Sequence, residues 1–119
     1  MEVTGLSDCI FCKIANREIE TTVVYEDDIC IAFDDANPQA PVHVLVIPKR
    51  HIASLAEAGE DDAELLGRLC LACDKVAAAK GIREDGYRVV TNRGAKAGQS
   101  VFHLHLHVLG GRAMNWPPG

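Results

Sequence analysis

Three histidines occupy alternate positions in the stretch SVFHLHLHVLGG: His103, His105 and His107. The chain has only five in all. On an extended strand alternate side chains share a face, so the three imidazoles line one side and Leu104, Leu106 and Val108 the other. Neighbouring imidazoles then stand about 7 Å apart along the backbone. The leucine side reads as the one that faces the core. Three chemistries compete for the histidine side. It is a polar strand face that happens to use histidine, a face for which Thr, Lys or Glu would be the more usual choice. It is a three-histidine metal centre with an open position, two ligands coming from the row and a third from elsewhere, such as His43. Or one imidazole is a nucleophile and its neighbours hold charge around it. A neutral imidazole, with a reference pKa near ~6.5, is mostly free base at pH 7. Its Nε2 can attack if Nδ1–H is held by an acceptor such as a backbone carbonyl.

The residues beside the row bear on that choice. GAKAGQSV precedes it, with Gly94, Gly98 and Ser100. Glycines let backbone N–H groups approach an anion closely, and Ser100 adds a hydroxyl. The G-x-x-x-x-G-K-[ST] phosphate loop is absent, yet beside histidines this segment suits a phosphate cradle. His43 lies between valines in PVHVLVIP. Burial there keeps it neutral, with one donor and one acceptor nitrogen, able to orient another imidazole. Cys9 and Cys12 form a C-x-x-C pair whose sulfurs face the same way on one helical turn. The pair is half of a tetrahedral zinc site or two small core residues. Cys70 and Cys73 repeat the spacing but lie on an apolar helical stripe, where burial is expected. Cys30, between isoleucines, is expected to be buried too. Five cysteines, an odd count, argue against a disulfide framework.

These residues need elements to hold them. Ser7 and Asp8 suit the cap of a short helix carrying Cys9 to Ile14. TTVVYEDDICIAFDD reads as two strands around an acidic turn. ANPQAP is a loop. VHVLVIPK is a strand buried on both faces, ended by Pro48. Ser54 and Glu57 suit a capping box. A long helix is expected from near Asp61 or Asp62 to Gly81, its stripe made of Leu66, Leu69, Cys70, Cys73, Val76 and Ala77. YRVVTN and FHLHLHV complete a five-stranded, mainly antiparallel sheet with one short and one long helix, an α+β fold.

At 119 residues the chain suits one domain spanning 1–119, with a tail at 1–7. The formal net charge of −5 speaks against a broad nucleic-acid-binding face. No apolar run approaches the ~20 residues needed to cross a bilayer, and MEVTGLSDC carries neither the basic nor the apolar region of a signal peptide. A cytoplasmic protein is the expectation, with no membrane partner.

H-L-H-L-H-V, led by G-Q-S-V and followed by L-G-G-R and W-P-P-G, resembles the histidine-triad (HIT) family, more narrowly its Hint branch of nucleoside phosphoramidases. D-C-I-F-C-K-I, Y-E-D-D, A-F-D-D and P-Q-A-P-V-H-V-L-V-I-P-K-R-H extend the likeness from about Asp8 to Gly119. The resemblance implies a homodimer with sheets joined edge to edge, the tail at 110–119 contributing to dimer and site. It implies purine nucleoside monophosphates as ligands. The implied reaction cleaves the P–N bond of adenosine or guanosine 5′-phosphoramidates through a nucleotidyl-histidine, with no metal in the chemical step. His105 would be the nucleophile, His43 its support, and His107 and Ser100 phosphate contacts together with Asn92 and backbone near Gly98 and Gln99. Asp35 would take the ribose hydroxyls. Ile10, Phe11, Ile14, Phe33 and Leu45 would form the base slot, and Trp116 would lie near the partner's site. A structural zinc would sit on Cys9, Cys12, His51 and His103. Ala36, Arg93 and Lys96 depart from the family's usual residues near the ribose and phosphate. Other functions remain open: an AMP-binding interaction module with little catalysis, a metal-dependent hydrolase using the histidine row as ligands, and, within the resemblance, a dinucleoside-polyphosphate hydrolase, against which the W-P-P-G tail speaks.

Overall fold

The computed structural model describes residues 8–119; the tail 1–7, and with it the proposed Ser7 cap, lies outside them. Strands β1 (Val23–Glu26), β2 (Cys30–Asp34), β3 (Val42–Pro48), β4 (Tyr87–Val90) and β5 (Leu106–Gly110) form one antiparallel sheet in the order β1-β2-β3-β5-β4. Helix α1 (Ile10–Ala15) precedes β1, and α2 (Ala63–Ala79) joins β3 to β4. The α+β expectation is met. Asp27 makes the acidic turn between β1 and β2, its Oδ1 accepting from the N–H groups of Ile29 and Cys30.

The continuous apolar character of β3 follows from its two covered faces. Val44 and Val46 pack with Leu69, Val76 and Val108 in the core beneath α2. Leu45 and Ile47 face the other way and pack with Phe11 and Ile14 of α1. Period-2 alternation thus sorts one strand into two layers. The α1 layer builds the site; the α2 layer anchors it.

Helix α2 begins after Asp62, where Glu60, Asp61 and Asp62 gather at the positive dipole end. It ends at Ala79 with Lys80 as its cap, and Gly81 follows with φ +76°, a conformation for which glycine is suited. The stripe differs from expectation at Cys70, which is exposed, whereas Cys73 is buried. Each residue turns the helix by about 100°. Leu69, Ala72, Cys73, Val76 and Ala77 cluster on one side, and Cys70 falls at its edge. Burial holds the Cys73 and Cys30 thiols at about 12, far from thiolate formation. Ser54 caps a single 3₁₀ turn (Leu55–Glu57), accepting from Ala56 N–H. Glu57 bonds the Ser54 hydroxyl rather than its backbone N–H, so the reciprocal capping box does not form there.

The expected strand FHLHLHV is shorter than its pattern. β5 starts at Leu106, and residues 101–105 are bent or irregular without ladder pairing. The β3–β5 register pairs Val46 with Leu106, so Pro48 would oppose Leu104. Proline has no N–H to donate, and the ladder stops. Leu104 N–H bonds to Ile52 O instead, at 2.6 Å. The alternation of faces survives: Leu104, Leu106 and Val108 are all in the α2 core.

Candidate functional site

The register across β2, β3, β5 and β4 aligns Phe33, Leu45, His107 and Val90. Phe33 and Leu45 pack with Phe11 and Ile14. His105, one pleat before His107, holds its ring 5.0 Å from that of His107 and 5.1 Å from Phe11, edge-on in both cases. These side chains line a groove of about 380 Å³. Ile10, Phe11, Ile14, Phe33 and Leu45 form its apolar wall; Asp35, Ser100, His105 and His107 form its polar end. Nine residues expected from the sequence therefore meet in one place.

Backbone groups settle the imidazole tautomers. His105 Nδ1 lies 2.7 Å from its own chain's His103 carbonyl. A carbonyl only accepts, so Nδ1 carries the proton and Nε2 keeps a lone pair. Gln39 N–H donates to His43 Nδ1 at 3.0 Å. The His43 proton is then on Nε2, which lies 2.8 Å from His107 Nδ1 and 3.3 Å from Asp35 Oδ2. When His107 Nδ1 accepts that proton, its own sits on Nε2. His103 Nε2 lies 2.9 Å from Pro48 O and donates, leaving Nδ1 as a lone pair. Backbone groups alone thus set His105, His43 and His103, whereas His107 depends on the His43 N–H, which Asp35 also faces.

Electrostatics agree with neutral rings. Burial, assisted by the neighbouring His105 and His43, pushes His107 down to about 4, while Asp35 opposes the shift. Burial also lowers His43, again against the pull of Asp35. The unfolded chain takes up a proton on His107 near pH ~6.5, whereas the folded chain does so only near 4. Between those values the unfolded state binds more protons. Stability from this residue is complete above ~6.5 and is lost as pH falls towards 4. Urea unfolding of wild type and His107→Asn at pH 7.5 and 5.0 should show wild type losing more, by about 1–2 kcal/mol. Equal losses would refute the neutral-ring assignment.

The remaining expected contacts lie outside the groove. Gln99 is buried and braces the loop: its Nε2 donates to Ala53 O at 2.8 Å and its Oε1 accepts Gly94 N–H at 2.9 Å. The N–H groups of Gly98 and Gln99 bond back to Ala95 O and Gly94 O. These residues shape the turn that presents Ser100 and do not line the groove. Asn92 follows β4, beside Thr91, whose hydroxyl donates to His105 O at 2.9 Å. Trp116 is 81% exposed and lies near Arg88, whose guanidinium carbon is 5.8 Å from the ring centre. It does not line its own groove. Sequence reasoning passed over Ile19, Glu20 and Thr21, which wall the groove beyond Ile14. They sit in a connecting segment without periodicity, so no pattern marked them.

A second cluster joins Cys9, Cys12, His51 and His103, whose ligand atoms all lie within 4.8 Å of one another. Cys12 Sγ is 3.2 Å from His51 Nδ1 and 3.4 Å from His103 Nδ1, and the two Nδ1 atoms are 3.2 Å apart. A tetrahedral zinc with ordinary Zn–N and Zn–S bonds spaces such donors about 3.3–3.6 Å apart. The donor set and spacing fit. Burial pushes His103 down to about 4, which keeps it neutral, as a ligand must be. His103 is thereby separated from His105 and His107: the row does not converge on one point.

The sheet, the crossover helix and the split histidine row define an α+β protein with an imidazole-lined groove. A model of the HIT domain family matches residues 16–114, and the chain belongs to that family. An uncharacterized HIT-like protein of Synechocystis sp. is 58% identical over 112 residues, spanning 94% of this chain and 97% of the relative. A HIT family hydrolase from Legionella pneumophila Philadelphia 1 superposes with TM-score 0.91 at 53% identity, covering 94% of this chain and 100% of the other. A histidine triad protein from Clostridium difficile gives TM-score 0.91 at 45% identity, covering 94% and 97%. No helix among the described residues is long and apolar enough to cross a membrane.

Proposed function

We propose that the protein is a purine nucleoside phosphoramidase, hydrolysing the P–N bond of adenosine or guanosine 5′-phosphoramidates to AMP or GMP. The observation that carries this reading is His105: Nδ1–H is held by the His103 carbonyl at 2.7 Å, and the ring lines the groove beside Ser100 and His107. Similarity to proteins described as HIT family hydrolases supports hydrolysis. The base enters between Phe11, Ile14, Phe33 and Leu45, and the ribose hydroxyls donate to Asp35.

His105 Nε2 then attacks the phosphorus. The Nε2–P bond forms as the P–N bond breaks, and charge on the phosphoryl oxygens is met by His107 Nε2–H and the Ser100 hydroxyl. The departing amine takes one proton from solvent across the exposed Ser100 side. Water next cleaves the nucleotidyl-imidazole, releasing the nucleotide, free His105 and one proton. The sum is phosphoramidate plus water giving nucleotide plus amine. A fluorogenic adenosine phosphoramidate, assayed at steady state on wild type and His105→Asn, tests this directly. Tight AMP binding without turnover by wild type would instead indicate an interaction module.

Zinc fits Cys9, Cys12, His51 and His103, where it would pin α1 against the loop carrying His51 and the segment carrying His103. It supplies no Lewis acid to the groove. We also place the protein as a homodimer joined through β4, which ends the sheet and exposes Val89. A sheet edge offers unpaired backbone groups to a second copy. Trp116 would then reach the partner's groove. Light scattering after size exclusion should give twice the chain mass; a monomer at working concentration would refute this. Asp35→Ala should raise the Kd for AMP about tenfold, roughly the worth of one charge-assisted hydrogen bond; calorimetry with an unchanged Kd would remove Asp35 from the ribose site.

A further inference from the structure

Asp35, His43 and His107 bring a carboxylate oxygen and two imidazole nitrogens within 4.8 Å of one another. The arrangement holds an unequal competition. His43 has one N–H to give, because Gln39 N–H already occupies its Nδ1 at 3.0 Å. That N–H faces two acceptors, His107 Nδ1 at 2.8 Å and Asp35 Oδ2 at 3.3 Å. Asp35 Oδ1 is held separately by Asn37 N–H at 2.8 Å, so the carboxylate is anchored and Oδ2 is the oxygen turned to His43. The His43 side chain is 3% exposed and that of Asp35 21%. In such a site the charge on Oδ2 is weakly screened, and it draws on the same proton that sets the His107 tautomer.

We propose that Asp35 is a positioning residue for the phosphoryl step as well as the ribose ligand. Sugar hydroxyls bound to Asp35 release the His43 N–H to His107, which fixes the His107 proton on the nitrogen facing the phosphate. Ribose recognition thereby assembles the phosphate-side donor. The inference rests on the nucleotide reading of the groove and extends it: substrates lacking a ribose hydroxyl lose turnover, not only affinity. A carboxylate that merely held the sugar would move KM alone.

The test compares an adenosine phosphoramidate with its 2′-deoxy and 3′-deoxy counterparts on wild type and Asp35→Ala. In wild type, kcat should fall about tenfold for at least one deoxy substrate, the effect of one lost hydrogen bond in the transition state. In Asp35→Ala the competing oxygen is gone. KM should rise for all three substrates, while kcat becomes independent of the sugar and exceeds the wild-type value for the impaired deoxy substrate. Equal kcat values in wild type, or a kcat gap that persists in Asp35→Ala, would overturn the proposal.

A second measurement needs no turnover. Imidazole ¹⁵N resonances of His43 and His107 should shift on adding AMP, and shift less on adding 2′-deoxy- or 3′-deoxy-AMP. Identical shifts for all three, or none, would overturn it. If no phosphoramidate is hydrolysed, the phosphoramidase reading fails while these resonances still decide the role of Asp35.

Discussion

Replacing His105 with asparagine is expected to lower phosphoramidate turnover by about 10⁴-fold or more, with AMP affinity within about tenfold of wild type. Asparagine keeps an amide N–H near the place of Nδ1, so the bond to the His103 carbonyl has a substitute donor. It has nothing at the place of Nε2. The groove walls come from Phe11, Ile14, Phe33 and Leu45 and are untouched, so ground-state binding survives. The covalent route is lost, and only direct attack by water remains. Turnover within tenfold of wild type would show that another group attacks. A loss confined to binding would make His105 a ligand contact rather than a nucleophile.

Zinc removal is expected to produce the largest change in stability. Metal bound only by the folded state stabilises by about 4 kcal/mol when present at a thousand times its Kd. For a domain of this size that is about 15 °C in Tm. Cys12 is 1% exposed and His103 fully buried, so loss of the metal is felt inside the core rather than at the surface. Zinc-loaded protein treated with a strong chelator should melt about 15 °C lower and still turn over substrate when folded. Cys12→Ser should melt low with or without added zinc. An unchanged Tm and no bound zinc by elemental analysis would leave the cysteines as core residues. Complete loss of turnover in folded, metal-free protein would instead favour metal-assisted hydrolysis.

Much of this was legible in residue spacing. Alternation in HLHLHV sorted Leu104, Leu106 and Val108 from His105 and His107 even though the ladder covers only part of the stretch. The strand's true start was hidden because it depends on register: Pro48 stops pairing from the neighbouring strand, a contact 56 positions away in the chain. The stripe of α2 was readable to within its edge, where Cys70 turns to solvent. The zinc-type cluster was half legible. C-x-x-C announces two ligands, but His51 and His103 join them through tertiary structure, and only family resemblance named them. The His43 tautomer could not be read at all, since its cause is the backbone N–H of Gln39, a group that nearly every residue possesses.

The central claim is a covalent nucleotide on His105, and the stereochemistry at phosphorus tests it most directly. Each in-line displacement inverts the phosphorus centre. Hydrolysis of a phosphoramidate chiral at phosphorus in isotopically labelled water should therefore proceed with net retention, the sum of attack by His105 and attack by water. Net inversion would mean a single displacement by water and would contradict the account.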